Sequence, residues 1–291
     1  MQKIFRRIDP DLILVLTLLV FGLVAYSNSF TGSFQCDDRL HILRNEAFTD
    51  FTNVSKIYHY GKGRFLPHLT LALNYEISKF DPISYHTFNF FIHYIAAIFL
   101  YFLFLEICKT PAVRGVELNF PERLGGFLAA GIFFLHPLQT ESVTYIIQRA
   151  ESMAGMFYLA TLFFYLKARR ARSRRDLFGY ALLAGIAAVG AAFSKETSLT
   201  LPAMILVLEI FFFDTAIKDL LGKKLFWLLM IPAAIILFLK LQPLIRSDFF
   251  YDPGPGLSFT RKQYLLTQFS VLLTYLHLFF WPANQNVDWD Y

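Results

Sequence analysis

Long apolar runs recur along the whole of this chain, and they fix the solvent in which it folds. A bilayer core roughly 30 Å thick takes about 20 mostly apolar residues of helix to cross. Seven stretches qualify as candidate spans: 11–28, 85–107, 120–136, 143–166, 177–193, 198–213 and 225–241. An eighth, 264–281, either crosses or lies at the interface. Composition agrees, since 56% hydrophobic residues against 17% charged, with 34 Phe, exceed what a soluble core can bury. The expected fold is all-α, a polytopic transmembrane bundle of seven or eight helices. Its first segment is longer than a typical signal-peptide apolar region and has no small-residue cleavage site after it, so it reads as an anchor.

Orientation follows from Lys and Arg, which concentrate in short cytoplasmic loops. Lys3, Arg6 and Arg7 precede the first span; Lys109, Arg114 and Arg123 separate the second from the third; Lys218, Lys223 and Lys224 separate the sixth from the seventh. The segment KARRARSRRD adds Lys167, Arg169, Arg170, Arg172, Arg174 and Arg175 on the same side. Fifteen of the 27 Lys and Arg thus share one face, which predicts a cytoplasmic N-terminus. With no nucleic-acid-binding fold around it, the Arg cluster is read as a topology signal. The opposite face receives a first external loop, 29–84, carrying amphipathic helices, and a second region, 242–291. Cys36 and Cys108 fall on opposite sides and are not expected to pair.

Several polar groups sit at the external ends of the spans. Asp37 and Asp38, in SFQCDDRLHILRN, follow the first span; they are either a solvated loop pair or a general base, since a carboxylate beside a hydroxyl can take its proton during attack. Arg64 precedes a Pro67-led apolar segment. His86, Asn89 and His93 share one helix face, which suits interhelical hydrogen bonds as well as a site; a metal role matches no familiar ligand spacing. In HPLQTESVTYIIQRAES, Glu141, Thr144, Gln148 and Glu151 recur at helical steps with Arg149 on their flank. Charge within a span costs several kcal/mol if it faces lipid, so the face is either functional or an internal Glu–Arg pair pinning two helices. Lys195 and Glu196 form a further charged corner.

Carboxylates and cations gathered at one membrane face suit transfer from a lipid phosphate. A carboxylate would activate the acceptor hydroxyl while Arg and Lys hold the departing phosphate. The blocks FQCDD, GRFLPHLTLALNY, YHTFNFFIHY, HPLQTESVTYIIQRAES, SKETSLTLP and LTQFSVLLTYLHLFFWPANQNVDWDY resemble the GT-C membrane glycosyltransferases, specifically bacterial relatives of the transmembrane and tetratricopeptide-repeat O-mannosyltransferases. The resemblance implies a polyprenyl (undecaprenyl or dolichyl) phosphate sugar donor, an acceptor protein or glycan, and a first-loop acidic residue as base.

On that resemblance Asp37 and Asp38 are the candidate catalytic residues, with Cys36 where relatives often have an aromatic residue. Arg64, His136, Glu141, Arg149 and Lys195 match recurring polar positions, and with His86, His93 and Glu196 they form the candidate donor-binding set. Dependence on a divalent cation stays open. The implied setting is a bacterial inner membrane with a periplasmic site. Relatives usually continue into a soluble repeat region that is not read within residues 1–291, here taken as one membrane domain, so a truncated or inactive module also fits the sequence. A silent scaffold subunit would keep the same fold, and a lipid or sugar transporter would also line its path with polar helix faces, although no inverted repeat is visible. The tail WPANQNVDWDY offers Trp281, Trp289 and Tyr291 as interface anchors, with Asp288 or Asp290 near the site, if 264–281 does not cross.

Overall fold

The computed structural model describes residues 9–117, 119–213 and 261–285, with Gly222, Ile231 and Ile235 as isolated positions. The chain divides into two compact units, Met1–Ala233 and Ala234–Tyr291. All regular structure among the described residues is helical. The expected span 225–241 and residues 242–260 lie outside them save for Ile231 and Ile235, as do Asp288, Trp289, Asp290 and Tyr291.

In the first unit, α1 (Pro10–Ala25) starts with Pro10 at its first position and the Asp9 carboxylate accepting the Asp11 N–H at 3.0 Å. The 29–84 segment carries a five-residue π-helical turn, Arg39–Leu43, then α2 (Val54–Gly61) and α3 (Phe65–Ser78). Asp81 and Pro82 repeat the same start for α4 (Pro82–Cys108). After α5 (Glu122–Leu135) come the short α6 (Thr140–Thr144), α7 (Arg149–Arg169), α8 (Arg174–Ala192) and α9 (Leu201–Phe213). The second unit contributes α10 (Arg261–Phe280).

Three apolar clusters hold the first unit. Leu18, Tyr94, Ala97, Tyr101, Ala130 and Phe134 join α1, α4 and α5. Leu103, Leu162, Leu166, Ala184, Leu201 and Ile205 join α4, α7, α8 and α9. Phe34, Ile42, Phe48, Ile57, Leu71 and Tyr85 give the 29–84 segment a core of its own, shared with Ile146. Outside these clusters, Leu16, Val20 and Val24 on α1 and Phe178, Leu182 and Ile186 on α8 are exposed apolar side chains. Such faces suit hydrocarbon rather than water. The α4 helix, α8 and the segment Glu196–Phe213 are long and apolar enough to cross a membrane by length and composition. The chain is a membrane protein.

The span expected at 143–166 is not one helix. Tyr145 is extended, with φ −83° and ψ 108°, between α6 and a 3-10 turn at Ile146–Gln148. The ladder breaks where outside groups take its backbone bonds: Asp38 Oδ1 accepts the Ile147 N–H at 2.8 Å, and Asn89 Nδ2 donates to the Val143 and Ile146 carbonyls at 3.4 and 3.2 Å. The single helical face assigned to Glu141, Thr144, Gln148 and Glu151 is therefore corrected, because their spacing crosses this break.

At the other end of the bundle, the basic residues meet acids. Arg123 pairs with Asp11 at 2.6 Å, Arg169 with Glu209 at 2.8 Å, and Arg170 with Glu106.

Close approach sets the glycines at two packing points. A Cβ on Gly22 would stand 2.2 Å from Phe134 Cε1, and one on Gly190 would stand 2.9 Å from the Phe157 ring. Phe134 is fully buried and cannot yield. Gly22→Ala is expected to destabilise the protein by about 1–3 kcal/mol through overpacking. Gly155→Ala, where a Cβ meets nothing within 4 Å, should stabilise α7 by roughly 0.5–1 kcal/mol. Thermal unfolding of the two variants in detergent would show shifts of opposite sign.

Candidate functional site

The two adjacent aspartates have different environments. Cys36 adopts φ 43°, a left-handed turn, and after it Asp37 is exposed while Asp38 is 1% exposed. Asp38 accepts the Gln35 N–H at 3.2 Å on one oxygen and the Ile147 N–H on the other. Burial pushes its carboxyl above the ordinary carboxylate range; the backbone donors oppose that rise and the Asp37 charge adds to it. Asp37 is tethered through its backbone, its N–H donating to the Tyr145 hydroxyl at 2.9 Å. Tyr145 reaches it because the helix is interrupted there. The pairing of Asp37 with Tyr145 was not legible in the sequence, where Tyr145 reads as one more aromatic on a span.

Arg149 is fully buried, which removes it from the groups able to touch a donor phosphate in this conformation. Its Nε donates to Asn89 Oδ1 at 2.7 Å, Nη1 to Thr70 Oγ1 at 3.2 Å and Nη2 to the Tyr85 carbonyl at 3.2 Å. The Phe88 ring lies against the guanidinium, 4.7 Å from its carbon. Of the two readings of this charged face, the internal Glu–Arg pair is not what Arg149 makes, and Glu151 pairs with Lys195 at 2.6 Å.

His86 and His93 are also buried, and each ring N–H donates to a backbone carbonyl, Nε2 of His86 to Gly32 at 3.0 Å and Nε2 of His93 to Phe134 at 3.3 Å. The His93 bond joins α4 to α5, the His86 bond joins α4 to the segment after α1, and both imidazoles are buried. His136 caps the turn that follows α5, its Nδ1 accepting the Leu138 N–H at 3.1 Å. Glu141 accepts from Gln148 Nε2 at 3.3 Å. Arg64 pairs with Glu196, Nη2 to Oε2 at 3.0 Å, and both are about half exposed. The Leu66 N–H donates to the Phe193 carbonyl at 3.2 Å, which ties the 29–84 segment to the end of α8 beside these ions. Asp37, Glu141, Arg64, Lys195 and Glu196 therefore lie at one end of the bundle, with Asp38, His86, His93 and Arg149 holding the scaffold behind them. Among the described residues, no three His, Cys, Asp or Glu side chains are grouped to hold a metal ion.

The comparisons with known proteins point one way. The protein O-mannosyl-transferase TMTC3 of Homo sapiens is 30% identical over 66% of this chain and 21% of its own length. TMTC2 of Homo sapiens is 26% identical over 91% of this chain and 32% of its own. Tmtc1 of Drosophila melanogaster is 29% identical over 61% of this chain and 20% of its own. The chain is a relative of the protein O-mannosyl-transferases. It spans between a fifth and a third of the length of these relatives. No protein-family model matches the chain, and no solved structure matches it significantly.

One histidine on α3 makes this end of the bundle sensitive to acid. His68 stacks on Phe48 at 5.4 Å and meets Tyr60 edge-on at 5.3 Å, and its Nδ1 is buried with no hydrogen-bond partner among the described residues. Burial, followed by the charges of Arg64 and His41, lowers its pKa to about 4. The native state thus keeps His68 neutral while the unfolded chain protonates near 6.5. Its stabilising contribution is complete above about pH 6.5 and is lost as pH falls toward 4, a span worth about 3 kcal/mol. His68→Phe, which retains the stack, is expected to flatten that part of the stability–pH curve measured by thermal unfolding.

Proposed function

We propose that this chain is the membrane module of a GT-C type glycosyltransferase, with residues 1–291 forming one polytopic domain of seven or eight helices. The donor is a polyprenyl-phosphate sugar, and the acceptor is a hydroxyl on protein Ser/Thr or a glycan. The observation that carries the mechanism is the contrast between the aspartates: Asp37 presents an exposed carboxylate on a tethered backbone, whereas both oxygens of Asp38 are engaged by backbone N–H groups. Asp37 is accordingly the base and Asp38 its positioning residue.

The acceptor O–H gives its proton to the Asp37 carboxylate as its oxygen bonds to the anomeric carbon of the sugar. The bond from that carbon to the phosphate oxygen breaks, and its electron pair leaves with the lipid phosphate. Arg64 and Lys195 are the cations at this end of the bundle suited to that phosphate, which would displace Glu196 and Glu151 from them. Glu141 and His136 are left to orient the sugar. The relatives named O-mannosyl-transferases support the class of reaction, and the Lys and Arg distribution supports a cytoplasmic N-terminus with the site on the opposite face of the membrane.

The test is donor turnover by purified protein in lipid with a panel of labelled polyprenyl-phosphate sugars. Asp37→Asn is expected to lower the rate by about 10²–10⁴-fold while leaving donor binding and the melting temperature unchanged. Asp38→Asn should lower the melting temperature and the rate together. Donor binding without turnover by the wild type would mark an incomplete catalytic module, neither binding nor turnover would favour a silent scaffold, and movement of the donor across sealed vesicles without transfer would favour a transporter.

A further inference from the structure

The bundle end remote from Asp37 holds a basic cleft that the proposed reaction does not use. It has a volume of about 370 Å³ and opens where the C-termini of α4 and α7 meet the start of α8. At its base is Glu106, whose side chain is only 6% exposed. One carboxylate there serves three cations: Lys109 at 2.9 Å, Lys167 at 3.9 Å and Arg170. Arg172 also lines the cleft, and among the described residues it makes no ion pair. Against these four cations the lining supplies Glu106 and Asp176 alone, an excess of two positive charges.

A merely structural Glu106 network would be satisfied by one or two partners, since each further cation at a shared carboxylate repels its neighbours. A ligand that carries negative charge would meet the surplus. Tyr180 closes one wall, with the Lys167 ammonium 5.4 Å from its ring centre. One turn along α8, on the side of Asp176 and Tyr180, Leu183 is 42% exposed, while Phe178 and Leu182 on the opposite side of the same helix are 73% and 65% exposed. Polar cleft and exposed apolar side chain thus follow one another along one side of α8 through Leu183. That juxtaposition is what a phosphate headgroup with attached acyl chains requires, while a soluble phosphate would have no use for the apolar part.

We propose that this cleft binds the headgroup of an anionic phospholipid, with its phosphate held by Lys109, Lys167 and Arg172 and its acyl chains along α8. The lipid is distinct from the polyprenyl donor, because the cleft lies at the other end of the bundle from Asp37. Its single negative charge would offset half of the surplus at the α4–α7–α8 junction and so stabilise the bundle.

The test titrates phosphatidylglycerol or phosphatidylcholine into delipidated protein in neutral detergent, followed by thermal unfolding and by native mass spectrometry of lipid adducts. Phosphatidylglycerol should raise the melting temperature saturably and give a one-lipid adduct, with phosphatidylcholine ineffective. Arg172→Gln and Lys167→Gln should each weaken that binding about fivefold. Arg172 makes no described contact whose loss would unfold the protein, so its variant remains readable if Lys167→Gln proves unstable. Arg174→Gln/Arg175→Gln, at the start of α8 but outside the cleft, is the control. The proposal fails if this control loses as much affinity as Arg172→Gln, which would mean surface charge alone. It fails equally if both lipids behave alike, or if inorganic phosphate at matched concentration reproduces the stabilisation and marks a site for soluble anions.

Discussion

The first unit is organised around a guanidinium taken out of water. An isolated buried cation is strongly unfavourable, and Arg149 is tolerated because Asn89, Thr70 and the Tyr85 carbonyl accept its hydrogen bonds while Phe88 lies against its face. Those acceptors come from α3 and α4, so one side chain of α7 fixes three helices together. Asn89 extends the network to the Val143 and Ile146 carbonyls, and Asp38 takes the Ile147 N–H. Backbone groups that an uninterrupted helix would satisfy internally are satisfied from outside, and the chain turns at Tyr145. Networks of this kind are worth most when every member is paired.

The break has a functional consequence through its geometry. A continuous helix from 143 to 166 would spend the Ile147 N–H on the carbonyl four residues back and leave Asp38 nothing to accept there. With the helix broken, Tyr145 and Ile147 each receive one of the two aspartates, and the carboxylates separate into a buried anchor and an exposed acid. The proposed division of labour between Asp37 and Asp38 rests on that separation.

Charge plays different parts at the two ends of the bundle. At the Arg-rich end, the acids Asp11, Glu106 and Glu209 are embedded in helices and bind cations from neighbouring ones, Arg123, Arg170 and Arg169. These contacts join α1 to α5 and α4 to the α7–α8 loop, and they knit α7 to α9. At the other end, the Arg64–Glu196 pair is half exposed and Lys195–Glu151 is partly so. Pairs in that setting contribute little to stability, which leaves their members free to exchange partners for a phosphate at small cost.

The apolar runs of the sequence determined that this is a helical membrane protein, because periods of some 20 hydrocarbon-rich residues have few other solutions. They located most helices to within a few residues, as at 85–107 against Pro82–Cys108 and 177–193 against Arg174–Ala192. Residue type and order likewise carried the family resemblance. Periodicity failed at Glu141–Glu151, since it assumes that backbone bonds stay within one helix, and there Asn89 and Asp38 supply partners 57 and 109 positions away. Only the tertiary structure decided which polar residues are scaffold and which are open to a ligand. Asp37 and Asp38 are alike in the sequence, as are Arg64 and Arg149; burial separates each pair, and burial is set by contacts between residues that are distant along the chain.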